Sequence, residues 1–167
     1  MGEARRATAA DAAELVRLRG VFLGEIAVRG SAADGWQRAA FETLRTRLAA
    51  PDPTMVAFVV NRTDRPGALA ASAVGAVDCR LGGPDDPTSE RGYVFNVVTE
   101  PDQRRRGYAR LCMAALLTWY GDRGIRTVDL RTSAGGEPLY RSLGFVRTTS
   151  PAMRLRLPTP GAAEVSG

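Results

Sequence analysis

One stretch, residues 92–131, constrains the fold more than anything else in this chain, because its hydrophobic period changes twice. Residues 92–98 are β-branched and aromatic, a composition that suits a strand. Pro101 cannot donate to a ladder and pushes Glu100 into an extended conformation, so the strand stops there. From Tyr108 the period becomes helical. Tyr108, Leu111, Cys112, Ala115, Leu116 and Trp119 form one apolar stripe, and Gly121 and Gly124 mark its end. Residues 127–131 read as a second short strand. The spacing predicts a strand–turn–helix–strand unit with its two strands parallel.

The turn inside that unit, Arg104-Arg105-Arg106-Gly107-Tyr108-Ala109, carries the chemistry. Where strand gives way to helix, the first backbone N–H groups have no intrahelical acceptor. Together with the positive end of the helix dipole they make an anion site. Gly107 and Ala109 remove side-chain bulk where a phosphate would approach the backbone, and the three arginines add charge.

This turn resembles the pyrophosphate motif of the GNAT superfamily, the acetyl-CoA-dependent N-acetyltransferases. That motif runs Q/R-x-x-G-x-G/A, and Arg104, Gly107 and Ala109 match it in frame. Downstream, Leu139-Tyr140-Arg141-Ser142-Leu143-Gly144-Phe145 is similar to the family's LYxxxGF segment. The resemblance is clear over residues 91–145 and holds only in outline for the N-terminal half. It implies a single α/β (α+β) domain over residues 1–157, with a central mixed, mostly antiparallel sheet, a parallel β-α-β cofactor unit and flanking helices. Residues 158–167, rich in Pro, Gly and Ala, are expected to form a disordered tail.

The resemblance also implies a co-substrate and a set of roles. Acetyl-CoA would lie along Asn96, Val97, Val98 and Thr99, where family strands splay apart, with a backbone N–H of Val97 or Val98 polarising the thioester carbonyl. Arg104, Arg105, Arg106, Gly107, Tyr108, Ala109 and Arg110 would surround the pyrophosphate. Ser133 would hydrogen-bond the cofactor arm, or is an ordinary loop serine. Tyr140 would contact the cofactor and act as general acid; its alternative role is a core tyrosine with its hydroxyl at solvent. The base is harder to find, because many family members carry a glutamate on the strand before the turn and this chain has Asn96, which orients a water at most. Glu25, near the end of the first helix, is the candidate base, against a solvated helix-end carboxylate; Asp78 and Glu90 are weaker candidates.

Composition narrows the alternatives. There is no histidine and no lysine, so Ser-His-Asp, Cys-His, His-metal, P-loop and Schiff-base chemistries are excluded, and no metal is expected. Arginine in place of lysine, with abundant Ala and Gly, reads as the coding bias of a GC-rich, bacterial genome. Cys79 and Cys112 read as reduced packing residues. A net charge of +5 admits nucleic acid as a partner, but the arginines are scattered and aromatics are only 7%. A polyanionic cofactor accounts for the one dense cluster. No apolar run approaches the ~20 residues of a membrane helix, and the first residues lack a signal peptide's apolar core, so the expected compartment is the cytoplasm.

The rest of the chain supplies the frame. Residues 5–7 read as a first strand, followed by a helix N-capped within 8–11, with Asp11 and Glu14 at capping-box spacing and Leu15, Leu18, Phe22 and Ile26 on one face. A loop over 30–35 precedes a second helix, 36–49. Residues 54–60 and 68–81 form a hairpin, and the loop at 82–87 is expected to overhang the active face. A short helix starts near Gly136 and stops at Gly144, and residues 145–149 and 153–157 finish as a hairpin. The acceptor is expected to be the amine of a small molecule, because the chain lacks an appended recognition domain. A protein lysine or N-terminal amine is the alternative, as is a non-catalytic acyl-CoA-binding module. Family members are often homodimers, which the resemblance leaves open here.

Overall fold

The computed structural model describes residues 2–25 and 35–158, except for the side chain of Glu25. The helix of the central unit, α3 (Tyr108–Asp122), forms where expected. Its buried stripe is Tyr108, Cys112, Met113, Leu116 and Tyr120, while Leu111 is exposed and Trp119 half-buried. The stripe is therefore turned from the expected one, because α3 crosses two strands that have their own demands. Tyr120 fits over glycines of both: a Cβ on Gly75 would lie 2.3 Å from the Tyr120 hydroxyl, and one on Gly92 would lie 2.8 Å from the ring. The hydroxyl donates to the carbonyls of Ala76 (2.9 Å) and Tyr93 (3.1 Å). Gly121 lies inside the helix; Gly124, at φ +81°, provides the left-handed stop.

Among the described residues, five strands form one sheet in sequence order: β1 (Ala4–Arg6), β2 (Met55–Asn61), β3 (Leu69–Cys79), β4 (Glu90–Thr99) and β5 (Val128–Leu130). The first four pair antiparallel, and β5 joins β4 in parallel. The near-continuous apolar run of β2 is explained by coverage on both faces. Val56 and Val60 face α3, while Ala57 and Val59 face α1 (Ala12–Glu25) and α2 (Trp36–Leu48). Leu15, Leu18 and Leu44 close that second layer.

Local chemistry differs from expectation in four places. The first helix is capped one turn early: the Thr8 amide donates to Asp11 at 2.8 Å, and Glu14 instead accepts the Leu69 amide at 2.8 Å. Cys79 is exposed at the end of β3, whereas Cys112 is buried and its thiol is pushed up to about 12 by that burial. The loop at 82–87 sits at the Glu90 end of β4, opposite the turn into α3, because Asp86 accepts from the hydroxyls of Thr88 and Thr127, both at 2.6 Å. Residues 145–149 and 153–157 form no strand, and Met153, Leu155 and Leu157 are exposed. Their alternation defines two faces of a strand but supplies no partner, and Glu137 holds Arg147 against the next helix, α4 (Glu137–Ser142), at 2.7 and 2.8 Å. Ile26 and residues 30–34 and 159–167, on which other expectations fell, lie outside the described residues.

A pH prediction follows from these contacts. Thr127 and Thr88 hold Asp86 at about 2, Arg62 holds Asp102 at about 2, and Arg147 with Arg141 holds Glu137 at about 2. Each folded-state value lies below the ordinary carboxylate range near 4, so each contribution is full above that range and is lost as pH falls toward 2. The urea midpoint is expected to drop steadily between about pH 4 and pH 2, and less steeply in Asp86→Asn. A midpoint constant across that window would contradict the assignment.

Candidate active site

The site is organised by an irregularity in β4. Ser72 pairs with Val98 and Val74 with Phe95, so one residue of β3, Ala73, faces two of β4, Asn96 and Val97. This is a β-bulge, and Asn96 within it takes a left-handed φ of 51°, which asparagine tolerates better than most residues. The consequence is a change of face. Phe95 and Asn96 both point toward α1 and α2, Val97 packs toward α3, and Val98 returns to the α1 side. Pairing with β5 stops at Val94 and Leu130, so the two parallel strands part at the bulge. The backbone of residues 95–99 is thereby open on its β5 side.

Beyond Thr99 the chain turns through a 3-10 turn (Pro101–Gln103) into Arg104–Gly107 and α3. Arg105 (φ 62°) and Gly107 (φ 79°) are both left-handed. Gly107 is the N-cap and provides no side-chain cap, and a Cβ there would meet nothing within 4 Å. The first amides of a fifteen-residue helix thus face open space rimmed by the exposed Arg104, Arg105 and Arg106. The Arg104 Nε donates to the Thr99 carbonyl at 3.5 Å. Tyr108 contributes only its backbone here, since its ring is buried in the α3 core. Arg110 reaches Ser142, tying α3 to α4.

An ion cluster that the sequence did not announce braces this turn. Glu100, only 7% exposed, accepts from both Arg17 of α1 and Arg62 of the β2–β3 turn. Arg62 also binds Asp102 at 2.6 Å and Asp64 at 2.7 Å, and Arg17 donates to the Leu69 carbonyl at 3.0 Å. Two carboxylates just before the Arg104–Gly107 turn are therefore fixed to two other parts of the fold. No local pattern marks such pairs, since Arg62 and Glu100 are 38 residues apart.

The other expected residues fall as follows. Tyr140 sits on α4, half-buried, edge-on to Phe145 at 5.9 Å, and burial raises its pKa. It lines a cavity of about 270 Å³ between β5, α4 and residues 145–148. Ser133 is exposed after β5, at the same end of the sheet as Thr99, and its carbonyl accepts from Gly136 and Glu137. Glu25 ends α1, with its side chain outside the described atoms. Asp78 pairs with Arg80 and Glu90 with Arg123, both at the far end of the β3–β4 ladder from the bulge.

A second cavity, of about 200 Å³, lies on the α1 side of the bulge. Its described walls are Leu15 and Arg19 of α1, Ala40, Thr43 and Leu44 of α2, and Met55, Val74, Phe95 and Asn96 of the sheet. Arg19 Nη1 lies 3.5 Å from Asn96 Oδ1. Sequence reasoning missed Arg19, which reads simply as one more helix arginine.

The comparisons bear on the whole arrangement. No curated protein matches the chain by sequence. Among solved structures, one described as a predicted acetyltransferase with acetyl-CoA, from Clostridium acetobutylicum, superposes with a TM-score of 0.80 at 24% identity, covering 93% of this chain and 96% of its own. A GCN5-related N-acetyltransferase from Ralstonia eutropha gives 0.78 at 24% identity, covering 93% and 99%. Glucosamine-6-phosphate N-acetyltransferase from Arabidopsis thaliana gives 0.68 at 18% identity, covering 93% and 98%. At these identities the likeness is one of fold. The family model for the GNAT acetyltransferases matches residues 24–145, a span that holds the bulge, the uncapped turn and α4, and so this chain belongs to the GNAT acetyltransferase family and is an acyltransferase.

Proposed function

We propose that the chain moves the acetyl group of acetyl-CoA to the primary amine of a small molecule by direct transfer. The observation that carries this reading is the uncapped start of α3, with Gly107 left-handed and the space above it open. A diphosphate fits there: it accepts from backbone amides, gains from the helix dipole and meets no Cβ. The arginines at 104–106 neutralise its charge, and the strand edge opened at the bulge offers amides of Val97 or Val98 to the thioester carbonyl oxygen. Thr99 and Ser133 flank the path of the arm between the parted strands.

The reaction forms one C–N bond and breaks one C–S bond. The neutral amine adds to the thioester carbon, Tyr140 gives its proton to the departing sulfur, the nitrogen's surplus proton passes by way of Glu25 to water, and Tyr140 recovers a proton from water. The products are an acetamide and free coenzyme A. Glu25 remains the proposed base. The Clostridium structure with acetyl-CoA supports the donor, and the name of the Arabidopsis enzyme supports a small amine acceptor. Among the described residues no helix is long and apolar enough to cross a membrane; we place the enzyme in the cytoplasm.

Calorimetry with acetyl-CoA tests the donor half. Wild-type protein is expected to bind it and to gain thermal stability. Gly107→Val should weaken binding at least about tenfold, because the new side chain fills the phosphate's space and strains a left-handed residue. Absence of heat and of stabilisation in the wild type would sink the reading.

A further inference from the structure

Resting on that reading, we propose that the acceptor is a free α-amino acid with an apolar side chain, its carboxylate held by Arg19 and its side chain seated in the cavity between α1, α2 and the β4 bulge. The charge of the cavity's described lining is positive, the wrong sign for a polycationic amine. Its described lining holds one guanidinium and no carboxylate. Of its other polar groups, the Thr43 hydroxyl already donates to the Ala39 carbonyl at 2.8 Å. That leaves Arg19 and the side chain of Asn96 as the groups available to a ligand. Among the described residues Arg19 pairs with no acid, its one contact being the long 3.5 Å approach to Asn96. A guanidinium in an apolar pocket that meets no counter-ion among the described residues is a site for an anion, and its planar fork suits a carboxylate.

Geometry narrows the class further. Asn96 belongs to the bulge, where the strand edge opens toward the donor's thioester, and Arg19 lies against its side chain. Anion and amine must therefore sit close together on the acceptor. In an α-amino acid a single carbon separates them. The remaining walls, Leu15, Met55, Val74 and Phe95 among them, are apolar. At about 200 Å³ the cavity is smaller than the roughly 300–1,000 Å³ of drug-sized ligand sites. Pairing the carboxylate with Arg19 also helps the chemistry. It removes the neighbouring negative charge that stabilises the ammonium form, and it sets a cation nearby, so the amine loses its proton more readily. The transfer is the one already written, yielding an N-acetyl amino acid and coenzyme A.

The test is thiol release from acetyl-CoA with leucine, methionine and phenylalanine, against leucinamide and spermidine. Leucine is expected to be turned over with kcat/KM about 10²-fold above leucinamide, the size of effect seen when a buried charge pair loses one member. Arg19→Gln should remove most of that preference, lowering kcat/KM for leucine about 10²-fold while leaving acetyl-CoA affinity within about twofold. Equal rates for leucine and leucinamide in the wild type would overturn the proposal, as would an unchanged leucine KM in Arg19→Gln. If that variant fails to fold, the wild-type ratio of acid to amide decides alone. Turnover of spermidine with none of any amino acid overturns the acceptor assignment and leaves the acetyltransferase reading standing. Failure to bind acetyl-CoA at all would remove the reading itself.

Discussion

Tyr140→Phe is expected to lower kcat by about 10²-fold while leaving acetyl-CoA affinity within about twofold. General-acid catalysis contributes about 10²–10⁴-fold, and a phenyl ring keeps the packing against Phe145 while deleting only the hydroxyl that carries the proton. A tenfold step in rate is about 1.4 kcal/mol, so the expected loss is about 2.7 kcal/mol of transition-state stabilisation. Burial raises the tyrosine's pKa, so the hydroxyl stays protonated through neutral pH and its own titration should lower the wild-type rate only on the alkaline side. The same burial makes it a weak donor, so transfer must coincide with charge developing on sulfur. Steady-state kinetics and calorimetry on one preparation separate the two effects. A Tyr140→Phe enzyme with wild-type kcat would show that the ring is there for packing alone.

The largest stability effect is expected at Tyr120. Tyr120→Ala should destabilise the fold by about 4 kcal/mol, as large-to-small changes of buried aromatics do, because the ring is 1% exposed and covers two glycines that cannot fill the space. Tyr120→Phe should lose only about 1 kcal/mol, the usual net value of a hydrogen bond, even though two carbonyls lose a donor. The gap between the variants, read from urea unfolding, separates packing from hydrogen bonding. Equal losses would mean that the hydroxyl, and not the ring, holds α3 to the sheet. The result bears on function because the orientation of α3 sets the direction of the amides beyond Gly107.

Much of this protein was legible without coordinates, and the legible parts are local. The strand–turn–helix–strand unit, the small residue at Gly107 and the short helix from Glu137 to Ser142 each follow from a few adjacent residues. Their conformations depend on missing Cβ atoms, on proline and on hydrophobic period. Failures came where a choice depended on a distant partner. Residues 153–157 alternate like a strand, yet a strand forms only where another edge accepts its amides. The stripe of α3 turned because Gly75 and Gly92, from two different strands, admit Tyr120.

The amino-acid order alone thus determined the turn into α3 at Gly107 and the elements on either side, because those features are set by backbone conformation within a few residues. Only the tertiary structure decided what surrounds them. It placed the bulge at Asn96, through the mismatch of two against one with β3, and it brought Arg19 to that bulge from 77 residues away. It also joined Arg17 and Arg62 to Glu100 across 83 and 38 residues. Charge pairs and strand register are settled by which surfaces meet, and no periodicity in one segment encodes the geometry of another.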